Sequence, residues 1–172
     1  RILEELGMKV LLPEASRIYA AAGARIDEDS NMVFIGRDMV EAALLTAPKS
    51  IHGRAGARHR DVTLKLGNLV FQAGAGAPNA TDLERGRRPG SARDYTEYLK
   101  LTHHFDVFQM ISPGVEPQDI PTHLRHYFTV EAQMVHSDKC PFVFSRGTPQ
   151  AMDCFEMIRD FRGVSDQAFQ DN

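Results

Sequence analysis

The stretch Leu69-Val70-Phe71-Gln72, running into Ala73-Gly74-Ala75-Gly76-Ala77-Pro78-Asn79-Ala80-Thr81-Asp82, decides the fold. Its first residues read as a short apolar strand, and the glycines and Pro78 behind them read as a loop. Ser91-Ala92-Arg93-Asp94 then matches a capping-box helix start, in which a serine and an acidic residue satisfy each other's free amide groups. Tyr95, Tyr98, Leu99 and Thr102 follow at i, i+3, i+4 and i+7, one face of that helix. The pattern then recurs. Asp106 to Ile111 is a second strand, followed by a helix that Pro121 opens and that carries Leu124, Tyr127, Phe128 and Met134. Pro141 to Phe144 is a third strand, and Thr148 with Pro149 caps a third helix presenting Met152, Phe155 and Ile158. Successive strand-then-helix units predict parallel strands joined by crossover helices. The expected fold class is α/β, a partial (β/α)8 TIM-type barrel whose first βα units occupy residues 67–172. A complete barrel takes about 250 residues, so only part of one fits. A small doubly wound sheet is the architectural alternative.

Residues 1–66 read instead as small helices and hairpins. Arg1 to Leu6 has a helical pattern. Pro13 opens a helix at its first position, Ile18, Tyr19 and Ala22 give it an apolar side, and Gly23 stops it. Arg25-Ile26 and Met32 to Ile35 flank the polar turn Asp27-Glu28-Asp29-Ser30-Asn31, a hairpin pattern. Arg37 to Thr46 carries Met39, Val40, Ala43 and Leu44 at helical spacing and ends before Pro48. Ile51 to Arg54 and Val62 to Leu66 are short strands joined by a basic, Gly-containing loop. The sequence opens at Arg1 without an initiator Met, and Gly163-Val164-Ser165-Asp166-Gln167 reads as the start of another element. Both ends are therefore expected to be cut from a longer protein.

The 172 residues are 42% hydrophobic and 25% charged, ordinary globular usage. A formal charge of -3 offers no general field for drawing in nucleic acid or an anionic membrane. No apolar run approaches the roughly 20 residues of a transmembrane helix, and the start lacks the layout of a signal peptide. Cys140 leads a predicted strand and Cys154 lies on a predicted helix, with no CxxC pair. Reduced, buried thiols and a cytoplasmic location are the expectation.

In parallel α/β architectures, ligands bind at the loops that follow the strands. Here those are Ala73 to Asp82, Ser112-Pro113-Gly114-Val115-Glu116, and Ser145-Arg146-Gly147-Thr148. Gly74 and Gly76 allow backbone to approach a ligand or a neighbouring strand, or simply make a tight turn on the rim. Their GxG spacing lacks the third glycine of a dinucleotide loop, and Pro78 with a polar stretch separates it from the next helix. Asn79 and Asp82 are the polar groups placed to orient a substrate or brace the rim. His123 and His126 share a helix face with Glu131 nearby, a pattern that raises zinc. That helix is an outer crossover away from the strand ends, so a solvated surface is expected there and no metal. His103-His104 closes the preceding helix, where a cation suits the dipole. The basic runs Arg54, Arg58, His59, Arg60 and Glu84 to Pro89 have no interleaved aromatics. They read as solvated or salt-bridged loops rather than a nucleic-acid groove, with a protein-docking surface as the alternative. No Ser/His/Asp or Cys/His arrangement falls on neighbouring strand ends.

The block Gly67-Asn68-Leu69-Val70-Phe71, Gly74-Ala75-Gly76-Ala77-Pro78-Asn79, Asp82-Leu83-Glu84 and Gly86-Arg87-Arg88-Pro89-Gly90 resembles the trimethylamine methyltransferase family, as does Ala92-Arg93-Asp94-Tyr95. Ile2 to Gly7, Ala22-Gly23-Ala24 and Ala47-Pro48-Lys49-Ser50 fit the same family's N-terminal region, and the resemblance is densest over residues 1–112. It implies a (β/α) barrel moving a methyl group from a tertiary or quaternary amine, trimethylamine- or glycine betaine-like, to the cobalt of a corrinoid (cobalamin) carried by a separate protein. Cob(I)alamin is the nucleophile in that chemistry. The enzyme must hold a cationic ammonium with one methyl aimed at cobalt, and aromatic faces and carboxylates suit such a cation. Some members use pyrrolysine, which would fall beyond Asn172, and others take already quaternised donors. Methylamine metabolism linked to methanogenesis, a corrinoid-protein partner and a homo-oligomeric full-length enzyme are implied as well. Catalytic residues stay unassigned. The substrate-binding candidates are Gly74, Gly76 and Asn79 with Asp82 bracing, then Ser112 and Arg146. The competing readings are a zinc-dependent barrel methyltransferase and a non-catalytic fragment docking a corrinoid protein through its basic loops. The chain alone is expected to be inactive.

Overall fold

The computed structural model describes residues 1–74, 76–144 and 146–170, and the chain divides into two compact units, Arg1–Lys49 and Ser50–Asn172. In the first, Met8–Lys9 (β1), Arg25–Asp27 (β2) and Met32–Phe34 (β3) form an antiparallel sheet in the order β1-β3-β2. The hairpin expected about the polar turn is present, with Ile26 opposite Val33. Asp27 organises the turn by accepting from the Asp29 N–H and the Ser30 hydroxyl, and Asn31 takes the left-handed conformation that asparagine tolerates. Helices Pro13–Ala21 (α1) and Arg37–Thr46 (α2) contribute Ala15, Tyr19 and Met39 to the cover over buried Val10, Ala24 and Val33. Ile2–Leu6 forms one π-type turn. The two-residue β1 carries no sequence signal of its own.

The second unit begins with the antiparallel hairpin Ser50–Gly53 (β4) and Val62–Lys65 (β5), Ile51 facing Leu64. Sequence grouped this hairpin with the N-terminal region. In the structure Ala55 and Val62 bury themselves against Cys140, with Val70 and Met110 packed around them, so its apolar contacts are with the later segments. Cys140 and Cys154 are both free and buried.

The strands expected at 69–72 and 106–111 meet at a single parallel bridge, Gln72 to Met110, and the second meets the third segment at another, Met110 to Cys140, one residue before the expected 141–144. That sense and order are what consecutive strand–crossover–strand units produce, but continuous ladders do not form and the described residues close no barrel. Side chains stand in for part of the ladder. The Phe71 N–H donates to Gln109 Oε1 at 2.7 Å, and Gln72 Nε2 donates to the Ile111 carbonyl at 2.7 Å. Leu69 and Val107 remain 77% and 54% exposed, so the flanking residues lack the buried face that pins strand register.

One hairpin falls where sequence showed only loop. Asn79–Asp82 (β6) pairs with Gly86–Pro89 (β7), Asp82 opposite Gly86. Its strands are polar, which hides them from hydrophobic alternation. The turn forms because the Asp82 carboxylate accepts the backbone N–H groups of Glu84 and Arg85. Helix Ala92–His104 (α3) follows and begins with the expected capping box: the Asp94 N–H donates to Ser91 Oγ and the Ser91 N–H to Asp94 Oδ2, both at 3.2 Å. Its expected face buries Tyr95, Leu99 and Thr102. Helix Arg125–His136 (α4) starts later than Pro121, after a 3-10 turn over Thr122–Leu124, because Pro121 itself sits in an extended conformation. Helix Thr148–Arg162 (α5) has Pro149 in its first turn and ends on left-handed Gly163, and Asp166–Gln170 (α6) is a short final helix. Tyr95, Leu99, Ile111, Val115 and Ala132 make one buried cluster; Val130, Cys154 and Ile158 make another between α4 and α5.

Candidate functional site

The first and second loops are laced together where they leave their strand segments. Ala77 bridges Val115, with Ala77 N–H to Gly114 carbonyl 3.0 Å and Glu116 N–H to Ala77 carbonyl 2.8 Å. The fit is tight at Gly76 and demands glycine at Gly114. A Cβ on Gly76 would lie 3.1 Å from Pro113 Cβ, and one on Gly114, whose φ is +63°, would lie 2.6 Å from the Tyr98 ring. The joined loops form one wall of a cavity of about 410 Å³, the other walls being α4, the segment Phe142 to Phe144 with Arg146, and the start of α5. That volume lies within the roughly 300–1,000 Å³ typical of small-molecule sites, and the position beyond the strand ends is where parallel architectures bind ligands.

Gln133, 4% exposed, fastens α4 to the third segment. Its Nε2 donates to the Phe142 carbonyl at 3.0 Å, and its Oε1 accepts from the Phe142 N–H at 2.8 Å, completing the pairing a neighbouring strand would give. The same Nε2 reaches the Tyr95 hydroxyl at 3.1 Å. Burial pushes the Tyr95 phenol far up despite that bond, so it stays neutral. The rings of Phe142 and Phe144 lie 6.3 Å apart on the cavity wall.

Charge in the cavity centres on Glu116. One oxygen accepts from Arg125 at 2.9 Å, the other from Arg146 at 2.7 Å. Burial opposes ionisation of Glu116, but the bonds from Arg146 and Arg125 more than offset it, and the carboxyl lies below the usual glutamate range. His126 forms a further part of the wall. Its Nε2 is 3.0 Å from Asp153 Oδ2, which also accepts from the Tyr127 hydroxyl at 2.7 Å. The bonds from Tyr127 and His126 hold the Asp153 carboxyl below its ordinary range. The His126 side chain is only 8% exposed, and Nδ1 is buried with no partner among the described residues. The solvated surface expected for the His123/His126 pair therefore holds for exposed His123 alone. The helix packs more deeply at His126 because Asp153 on α5 stands ready to receive it. Among the described residues no three His, Cys, Asp or Glu side chains gather as metal ligands would.

Of the candidates read from sequence, Gly76 and Arg146 line this cavity. Ser112 is wholly buried behind it, hydrogen-bonded to the Tyr98 hydroxyl and the Ala73 carbonyl, and ties the second segment to α3. Gly74 turns the first loop with a φ of +52°. Asn79 lies on β6, away from the cavity lining, and Asp82 braces the hairpin turn. Bonding from the Arg85 N–H, opposed by burial and reinforced by the Arg85 and Arg88 side chains, lowers the Asp82 pKa from 3.8 to about 2. Arg85 and Arg88 also pair with buried Asp94, and Arg85 with Glu97. Much of the basic character of 84–89 is thus spent internally, as it is for Arg54 with Asp61 and Arg60 with Asp138. The GxG loop leads into β6 and not a helix N-terminus, so it lacks the cradle a nucleotide phosphate needs. Ala75 and Ser145, members of the first and third loops, lie outside the described residues. Glu116, Arg125, Phe144 and His126 were not singled out as substrate contacts, although Glu116 stands in the second loop and was visible there.

A cavity beyond parallel-bridged segments, walled among the described residues by aromatic rings, guanidinium groups and one carboxylate, is the candidate small-ligand site of this framework of helices and small sheets. All of residues 1–172 match the model of the Trimethylamine methyltransferase (MTTB) family, and the chain belongs to that family. It is similar to the glycine betaine methyltransferase of Desulfitobacterium hafniense, 29% identical over 167 residues, and to the trimethylamine methyltransferase MttB of another strain of that species, 24% identical over 169 residues. Each alignment takes in 96% of this chain and 34% of the relative, so the chain spans about a third of the length of these relatives. No helix among the described residues is long and apolar enough to cross a membrane.

Proposed function

We propose that the gene product transfers a methyl group from a methylated amine, of the trimethylamine or glycine betaine type, to a corrinoid carried by a separate cytoplasmic protein. We place this on a TIM-type barrel whose first units are the parallel-bridged segments, with the cavity forming part of the methyl-donor site. The observation that supports the reading is the family match along the entire chain, joined to a ligand-sized cavity at the strand ends.

When docked, the corrinoid cobalt supplies the nucleophile; it is a substrate brought by its carrier. The chain's own part is orientation and exclusion of water. Phe142 and Phe144 offer aromatic faces to a methylammonium, and Gln133 fixes the Phe142 backbone against α4. The nitrogen of a quaternary donor leaves with the bonding pair, so the transfer asks no side chain here to remove a proton. Rate then depends on holding one methyl in line, the kind of contribution positioning makes. The test is methyl transfer to cob(I)alamin by the whole gene product, followed spectroscopically with a panel of methylamines and betaines. Growth of methylated corrinoid with at least one donor is expected; a panel with no active donor overturns the proposal.

A further inference from the structure

We infer that a second cavity, at the far end of α5 from the strand-end site, binds the phosphate group of a small phosphate monoester. It measures about 400 Å³ and shares no lining residue with the first cavity. The first takes in Gln150 and Cys154 near the start of α5, the second Arg162 at its end. The helical rise sets Gln150 and Arg162 roughly 18 Å apart along the axis, so the two are separate sites. Nothing in the methyl-transfer reading accounts for the second.

Charge decides the class of ligand. Arg54, Arg58, Asp61 and Arg162 all line this cavity, in a chain whose formal charge is -3. Asp61 is the one carboxylate of that lining among the described residues, and it is occupied. It accepts from Arg54 Nη1 and from the Ala55 N–H, both at 2.8 Å. The Arg58 side chain is exposed and makes no hydrogen bond or ion pair among the described residues. Arg162 donates from Nη2 to the Arg54 carbonyl at 2.8 Å, which leaves Nε and Nη1 without an acceptor among those residues. Arg159, one turn earlier on α5, shows the contrast, paired with Asp160 at 2.8 Å and Asp166 at 2.7 Å. Two guanidinium groups left over at one cavity call for close to two negative charges. A phosphate monoester carries about -1.5 to -2 at neutral pH on one group, and its oxygens meet guanidinium forks in paired bonds. A monocarboxylate would leave one guanidinium unmatched. Val164 and Phe169 add apolar lining, which the organic body of an ester would cover and a bare oxyanion would not.

The test is calorimetric titration of the whole gene product with phenyl phosphate, with inorganic phosphate and with phthalate, a dicarboxylate of like charge. It compares the wild type with Arg58→Gln, Arg162→Gln and Arg87→Gln, each checked for folding by circular dichroism. Arg87 is an exposed arginine on β7 outside both cavities, so its loss reports general electrostatics. The wild type is expected to bind phenyl phosphate at least about ten-fold more tightly than either other anion. Arg58→Gln and Arg162→Gln are each expected to weaken that binding by about ten- to a hundred-fold, the range for a charged hydrogen bond, and Arg87→Gln to leave it unchanged. Arg58→Gln carries the test alone should loss of the Arg162 bond to Arg54 prevent folding. Absence of phenyl phosphate binding, an affinity unmoved by Arg58→Gln, or equal weakening by Arg87→Gln overturns the inference. So does equal affinity for inorganic phosphate, which needs no apolar wall, or for phthalate, which carries no phosphate.

Discussion

Replacing Gln133 by leucine should destabilise the unit Ser50–Asn172 by about 2–4 kcal/mol. Leucine keeps a similar size and good helix propensity, so the effect isolates the amide. What disappears is the pair of bonds to Phe142, one donated at 3.0 Å and one accepted at 2.8 Å, together with the 3.1 Å bond to Tyr95. The Tyr95 hydroxyl keeps the Thr129 carbonyl as a long-range acceptor at 3.5 Å. The Phe142 N–H and carbonyl have no such reserve among the described residues, and each unsatisfied, partly buried backbone group costs about 1–3 kcal/mol. Burial of the leucine methyls returns roughly 1 kcal/mol of the total. Equilibrium urea unfolding gives the free energy, and hydrogen exchange at the Phe142 amide gives the local effect, expected as a large loss of protection. A loss below about 0.5 kcal/mol, with Phe142 exchange unchanged, would refute the idea that Gln133 substitutes for a strand partner.

Other consequences follow from the same geometry. Gly114→Ala places a Cβ 2.6 Å from the Tyr98 ring at a φ of +63°, and should cost about 2–4 kcal/mol from left-handed strain plus displacement of the ring; a wild-type melting temperature would show that the loop does not approach α3 so closely. Acid sensitivity should centre on the β6–β7 hairpin. The Asp82 pKa is about 2 when folded against an ordinary 3.8, so the unfolded chain binds more protons between those values. The stabilisation is complete above pH 4, falls as pH drops through that window, and is gone below about 2. Asp82→Asn should flatten the melting temperature over that interval, and an acid limb of unchanged steepness in the variant would contradict the assignment.

The local chemistry of the fold was legible wherever a short-range rule governed it. Ser91 and Asp94 announce their capping box, Arg37 to Thr46 its helix, and the Asp27 to Asn31 turn its hairpin, because each is settled within a few residues of sequence. The β6–β7 hairpin was not, since Asn79-Ala80-Thr81-Asp82 and Gly86-Arg87-Arg88-Pro89 show no apolar alternation. That hairpin is held by ion pairs from Arg85 and Arg88 to Asp82 and Asp94, and charge pairing leaves no periodic trace. The three parallel segments were located but their extent was overestimated. Apolar character at Leu69 and Val107 shows that a segment can be buried; whether it is depends on residues that cover it.

The site was legible as a place but not as a charge distribution. Strand-end loops pointed to Gly76 and Arg146, and both line the cavity. The role of Glu116 depends on partners 9 and 30 residues away, a convergence no spacing rule encodes, and the partners reverse its meaning. A carboxylate at a methylammonium site would ordinarily be read as the cation's receptor. Here Arg125 and Arg146 take up its charge, so among the described residues the cavity walls present aromatic rings and no unpaired anion, and the residue that looks like a cation receptor in the sequence is a brace between the second loop, α4 and the third loop.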